Sequence, residues 1–291
     1  ILNKGYLTAS NTTFRGNQAA AGGAIANYAD GDSASFIAIN CTFSGNKAAI
    51  VDGGAIDQRA ITDNAFTQLI NCTVYNNQAV NKGGGIYNDA GGILEIKNTI
   101  IAKNKCENGP DVFGNLTSLG HNLLGNDQET VFNSSTGDLV NTDPQLAYLA
   151  NYGGPTFTHR VLEGSPVIDA GDANISFEID QRGESRMYNG KVDIGAYEYD
   201  PTTRIFTQND PLSFSLYPNP NHGEFTIQFA NSVHVRAYQI FSITGQLIKK
   251  ENLESAPGSE WVVNLGNIPA GIYVFMVESG NDVIRKKFII E

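Results

Sequence analysis

Four stretches of this 291-residue chain can be laid over one another: NTTFRGNQAAAGGAI (Asn11 to Ile25), NCTFSGNKAAIVDGGAI (Asn40 to Ile56), NCTVYNNQAVNKGGGI (Asn71 to Ile86) and NTIIAKN (Asn98 to Asn104). Their leading asparagines fall 29, 31 and 27 residues apart. A second asparagine column runs Asn17, Asn46, Asn77, Asn104, and a third column is the pair Gly22-Gly23, Gly53-Gly54, Gly83-Gly84. A repeat near 30 residues without helical periodicity is the size of one coil of a parallel β-helix, with coils stacking at about 4.8 Å. One such coil cannot bury its apolar residues alone, so the repeat commits the chain to a stack.

The apolar pattern places a corner within each coil. Phe36 and Ala38, or Leu94 and Ile96, alternate before the leading asparagine; Cys41 and Phe43, or Cys72 and Val74, alternate after it with the parity shifted. Alternation has period two, so a shift at one residue means a bend there. Asparagine tolerates the left-handed backbone such a bend needs, and its amide can bond to the same amide one rung away. Asn11, Asn40, Asn71 and Asn98 are therefore expected to stack as an asparagine ladder. Cys41 and Cys72 take equivalent repeat positions, close enough for a disulfide; two stacked, buried, reduced thiols are the preferred reading. Cys106 is left over.

The chain carries 30 acidic and 19 basic residues, with 23 and 13 of them in residues 1–212 and 7 and 6 in residues 213–291. No basic stripe could neutralise phosphates, so nucleic acid is not an expected partner. No run of 18 apolar residues is present, so no segment reads as a membrane-spanning helix. The chain begins at Ile1 inside a repeat and reads as the C-terminal part of a longer or processed protein.

The GGAI and FxGN patterns over residues 1–125 resemble the repeat of chlamydial polymorphic outer-membrane proteins. They resemble more closely the right-handed parallel β-helix repeat proteins of the Bacteroidota surface. The series GPDVFGNLTSLGHNLLGN (Gly109 to Asn126), TDPQLAYLANYGGPTFTHRVLEGSPVIDAGD (Thr142 to Asp172) and DQRGESRMYNGKVDIGAYEY (Asp180 to Tyr199) is similar to the end of that family, the choice-of-anchor type. An open β-helix end exposes strand edges and core, and Leu146, Leu149, Val161, Leu162, Val167, Ile168, Ile194 and Tyr197 could cover it. The dense polar residues here allow three readings. DQRG beside DIGAYEY fits a buried clamp of Asp180, Arg182 and Asp193 with bidentate geometry, which is preferred. A calcium site and a catalytic carboxylate cluster are the other two. No resident cofactor or metal is expected beyond that calcium alternative, and His121 and His159 read as turn or packing residues.

After the proline-bearing stretch DPTTRIFTQNDPL, the last 79 residues open with SLYPNPNHGEFTIQF (Ser215 to Phe229) and close with IPAGIYVFMVESGNDVIRKKFIIE (Ile268 to Glu291). This resembles the type A C-terminal sorting domain of the type 9 secretion system. Pro218, Asn219 and Pro220 match the family's opening motif, Gly223 its following turn, Gly245 its central hairpin, Pro269 and Gly271 the approach to the penultimate strand, and Lys286 and Lys287 the last basic-apolar strand. That strand usually ends in lysine, where this chain has Glu291. The resemblance implies an immunoglobulin-like sandwich, export across the outer membrane through the type 9 translocon, recognition by a PorV-type shuttle barrel and removal by a sortase-like peptidase.

The chain is thus expected to be all-β: a right-handed parallel β-helix over 1–130, an irregular capping end over 131–199, a linker at 200–212 and a small β-sandwich over 213–291. The expected role is a secreted surface passenger, adhesive or in contact with extracellular polysaccharide, with no catalysis in these residues. The alternative is a polysaccharide lyase or glycoside hydrolase whose site lies in upstream coils.

Overall fold

A computed structural model describes residues 1–174, 177–188, 190–200, 214–229, 235, 237–243, 245–253, 260–279 and 282–291. The chain divides into two units, Ile1–Tyr199 and Asp200–Glu291. Most of the expected linker at 200–212 lies outside the described residues, from 201 on.

The first unit is a parallel β-helix with three main faces. One face stacks Ile25–Ala29, Ile56–Ala60 and Ile86–Asn88; a second stacks Tyr6–Ser10, Ala34–Ile39, Ala65–Ile70 and Ile93–Lys97. The third stacks Thr13–Arg15, Thr42–Ser44, Thr73–Tyr75, Ile100–Ala102 and Leu123–Leu124. The pairing is parallel and offset by one repeat, as in Ile39↔Ile70 and Thr42↔Thr73. Phe36, Ala38, Cys41 and Phe43 all point inward with no solvent exposure, so the parity shift is real. Asn11, Asn40, Asn71 and Asn98 turn the corner with φ between 47° and 51°, a region that costs asparagine less than other residues with a side chain.

The glycine pairs answer a different need. Gly53 has φ +67°, and a Cβ on Gly54 would lie 1.9 Å from the carbonyl oxygen of Gly84 in the next coil. The coils approach so closely at this column that no side chain fits.

Two expectations are corrected here. Parallel stacking does not stop at 130: Thr130–Asn133 pairs with residues 114–117, and Leu139–Val140 pairs with Leu123 and Leu124. Nor do the later residues cap an end. The described residues between 142 and 199 run back along the third face as a strap, bonded to coils from Asn11 to His121. The physical reason lies in the third face itself. Thr42, Ser44, Thr73, Ile100 and Ala102 point outward from it yet are buried, so this short-stranded sheet needs cover on both sides. Val161, Val167, Ile194 and Tyr197 supply buried apolar surface to that cover, whereas Leu162 remains exposed.

The second unit is a small β-sandwich. Phe214–Tyr217, Glu224–Phe229 and Glu260–Asn264 form one antiparallel sheet. Leu247–Asn252, Ala237–Ser242, Gly271–Ser279 and Asp282–Ile290 form the other. Phe225, Ile227 and Phe229 from the first sheet meet Ile240, Phe275 and Phe288 from the second in a core separate from that of the coils. Each unit therefore buries its own apolar residues.

Candidate functional site

In the sandwich, the two ends of the sequence motif come together. The opening turn is exposed at Pro218, Asn219 and Pro220 and dives inward at Asn221. The Asn219 Oδ1 accepts from the backbone N–H of Ile289 at 2.8 Å. The Asn221 N–H donates to Ile289 O at 3.0 Å, and Glu291 N–H donates to Asn221 O at 2.9 Å. His222 Nδ1 lies 3.0 Å from the Glu291 backbone oxygen. This turn thus satisfies the outward backbone groups of the final strand over its last residues, groups an edge strand otherwise leaves open.

Gly223 has φ +95°, and a Cβ there would lie 2.4 Å from Gly266 O, so the tight turn excludes a side chain. Asn221 Oδ1 accepts from Gly223 N–H at 2.9 Å, which shapes the same turn. Pro269 O accepts the Tyr273 hydroxyl at 2.7 Å, ahead of the strand that begins at Gly271. Gly245 has φ +85° in an open hairpin and touches nothing where a Cβ would be. Lys286 curls back, its ammonium donating to Phe214 O at 2.8 Å, while Lys287 is exposed. Asn221 and His222 join the motif through structure; the string PNPNHG held both, but nothing in it told which side chains face the last strand.

In the β-helix unit, Asp180 and Arg182 form a buried ion pair within the strap. Arg182 Nε and its NH2 group approach the same carboxylate oxygen, Oδ2, at 2.8 and 2.7 Å. The expected fork-to-fork bidentate pairing is therefore corrected. The other oxygen, Oδ1, is taken by the backbone N–H of Arg182 and Glu184, and so cannot face the guanidinium. The guanidinium also donates to Glu198 O at 2.8 Å and lies over the Tyr197 ring at 3.6 Å. Asp193 belongs to a neighbouring group instead. It accepts from the backbone N–H of Asp169 and Tyr199, and its own N–H donates to Glu198. Burial pushes the Glu198 carboxyl up to about 9, reinforced by the Asp193 charge, and burial pushes Asp193 up to about 6.

The asparagine ladder also differs from expectation. Asn40 donates to Ile179 O and accepts from Arg186; Asn98 donates to Asp172 O and accepts from its N–H. Both amides turn outward to the strap because the corner directs them away from the axis. Asn71 is fully buried with neither amide atom hydrogen-bonded, and Asn11 Oδ1 has no partner either. The amide ladder is found in the second column. Asn17 donates to Asn46, Asn46 to Asn77, Asn77 to Asn104 and Asn104 to Asp111, at 2.8 to 2.9 Å. A further row inside the coils links Asn3, Asn27, Gln58 and Asn88. Its spacing of 31 and 30 residues from Asn27 onward was present in the sequence, but the glutamine hid it.

His159 packs as the sequence implied. Its Nδ1 must carry the proton given to Ala147 O at 2.8 Å, so Nε2 accepts the Ser44 hydroxyl at 2.9 Å. Burial lowers it to about 4. Asp180, Arg182, Arg186, Asp193 and Glu198 are each at most 7 % exposed, which keeps them from a dissolved polymer. Among the described residues, no three His, Cys, Asp or Glu side chains converge to hold a metal ion.

One cluster was missed. Arg59 pairs with Asp52 at 2.6 Å and with Asp57 at 3.0 Å, and lies over the Tyr87 ring at 4.7 Å. Tyr87 in turn stacks on Phe113, and the Tyr28 hydroxyl bonds to Asp57. These residues project outward from neighbouring coils of the first face, so a stack of rings and charges runs along it. The 30-residue repeat hid them, because no two coils place the same residue there.

A stack of parallel coils followed by an independent sandwich, whose opening turn clasps its own last strand, defines a two-unit all-β protein. Residues 215–291 match the family described as the secretion system C-terminal sorting domain. Residues 40–57 and 71–89 match the Chlamydia polymorphic membrane protein repeat. The chain carries a type 9 sorting domain and is secreted across the outer membrane to the cell surface or the extracellular space. Among solved structures it is similar to PorZ, an essential bacterial surface component of the type-IX secretion system of Porphyromonas gingivalis, at 19 % identity and a TM-score of 0.23. That likeness covers 27 % of this chain and 11 % of the other, so the chain spans about a tenth of that structure. No curated protein matches the chain.

Proposed function

We propose that the β-helix is an adhesive passenger that contacts extracellular polysaccharide through its second face, in a bacterium of the Bacteroidota. The observation that carries this reading is the outer surface of that face. Tyr6, Ser35, Phe66 and Ile93 lie in one row across the coils, and Thr8, Ile37, Gln68 and Glu95 in the next. Tyr6 is 78 % exposed and Ile93 47 % exposed, and the strap covers the third face instead. A flat, in-register surface that mixes rings with hydroxyl, amide and carboxylate groups suits a polymer whose own units repeat. The sandwich delivers this passenger. A PorV-type shuttle barrel of the type 9 translocon recognises it and a sortase-like peptidase removes it.

Retention of the chain on immobilised polysaccharides tests the passenger role. Phe66→Ala projects from the sheet surface and leaves the core intact. It should weaken binding about fivefold or more, the effect of losing roughly 1 kcal/mol at a contact. Binding that is unchanged in both Phe66→Ala and Tyr6→Ala would overturn the assignment to this face.

A further inference from the structure

Cys41 and Cys72 occupy the same inward column on consecutive coils. The pairs on either side of them, Ile39↔Ile70 and Thr42↔Thr73, are in register, so the two cysteines are direct neighbours across the stack. Adjacent strands place such Cα atoms about 4.8 Å apart, inside the span a disulfide bridges. The Cys72 sulfur lies 3.2 Å from Ile70 O in its own coil and 3.4 Å from Ala38 O in the coil before it. It is thus directed toward Cys41, whose sulfur lies 3.2 Å from Ile39 O. A hydrogen bond from the Cys72 thiol is the largest influence on Cys41 and lowers it. The neighbouring coils place Thr12 and Thr99 in this column. The column therefore takes small polar side chains, and cysteine is found at two consecutive positions of it. In the structure Cys41 and Cys72 are both buried free thiols, as preferred from the sequence, and Cys106, also free, lies outside the column and is partly exposed.

The chain is secreted across the outer membrane, so it first passes through an oxidising compartment where disulfides form and persist. We propose that Cys41 and Cys72 are a modification site, joined in the exported protein as a disulfide that staples two consecutive coils. The oxidant is a protein disulfide of that compartment. The Cys41 thiolate attacks it to give a mixed disulfide, and the Cys72 thiolate displaces the oxidant's sulfur. Two protons leave the cysteines, and two electrons reduce one oxidant disulfide to two thiols. Both cysteines are fully buried once the coils have stacked, so the exchange takes place while the coils are assembling.

The test uses the full chain recovered from the surface or medium of secreting cells. It is denatured without reductant, alkylated and digested. A linked Cys41–Cys72 peptide, with alkylation confined to Cys106, is expected. Alkylated Cys41 and Cys72, or a link that includes Cys106, overturns the proposal. In Cys41→Ser, Cys72 should become alkylatable. Reduction of the native protein should lower its melting temperature on the order of 10 °C, as expected for opening a loop of this length in a unit of this size. A melting temperature indifferent to reductant would also count against the staple.

Discussion

Asn77 sits at the centre of the second-column amide ladder, and its removal measures what that ladder is worth. Its Oδ1 accepts from both the backbone N–H and the side-chain amide of Asn46, each at 2.9 Å. Its Nδ2 donates to Asn104 Oδ1 at 2.9 Å and to Phe43 O at 3.0 Å. Asn77→Ala leaves the Asn46 N–H buried without an acceptor, at roughly 1–3 kcal/mol, and loses further neutral hydrogen bonds at about 1 kcal/mol each. The sum is roughly 4–6 kcal/mol, which in a unit of this size lowers the melting temperature by about 10–15 °C. Asn71 in the corner column is the control. It is equally buried but makes no amide hydrogen bond. Asn71→Gly keeps its φ of 51° accessible and should cost less than about 1 kcal/mol. Thermal denaturation followed by circular dichroism reads both variants against the parent chain. Equal losses at the two positions would refute the argument, because the ladder would then stabilise by volume alone and not by its hydrogen bonds.

Asp180→Ala should destabilise the β-helix unit by about 3–5 kcal/mol, read by chemical denaturation, because Arg182 and three backbone N–H groups lose one buried acceptor. Glu198 titrates near 4.5 when unfolded and near 9 when buried. Its contribution is full below pH 4.5 and is lost as pH rises toward 9. His159, lowered from 6.5 to about 4, acts in the opposite sense, losing its contribution as pH falls between those values. Melting temperature should therefore fall from pH 6.5 to 9, and Glu198→Gln should flatten that fall; an unchanged slope would show that another group sets it. Deleting residues 213–291 should trap a folded passenger in the periplasm, seen by fractionation and protease resistance, whereas a truncated chain that still reached the surface would contradict a sorting role.

The β-helix was legible because its determinants recur. Asparagine corners, glycine contacts and inward apolar residues each return once per coil, so four weak signals reinforce one another. The sandwich motif was legible for the opposite reason, since Pro218 to Gly223 and the final strand are distinctive strings. The strap was not legible. Its partners, such as Gln181 with Thr42 or Arg186 with Asn40, lie 139 and 146 residues apart, and no periodicity connects them. Arg186 is 1 % exposed, and nothing in the sequence tied it to Asn40. The wrong asparagine column was favoured as the ladder because left-handed backbone and amide stacking both suit asparagine. Sequence alone does not separate a residue chosen for its φ from one chosen for its amide.

The strap also changes how this stack can come apart. Coils that touch only their neighbours unfold stepwise, each boundary opening almost independently of the rest. Here one segment holds Asn11 through Thr156, Asn40 through Arg186, Thr73 through Ala196 and Asn98 through Asp172. An outer coil cannot fray without breaking bonds to a segment that is also fastened to the middle ones. The strap therefore converts a row of short-range contacts into a single cooperative transition. Assembly carries the complementary constraint: the coils can stack as the chain emerges, but cooperativity arrives only when residues near 199 close over coils made long before.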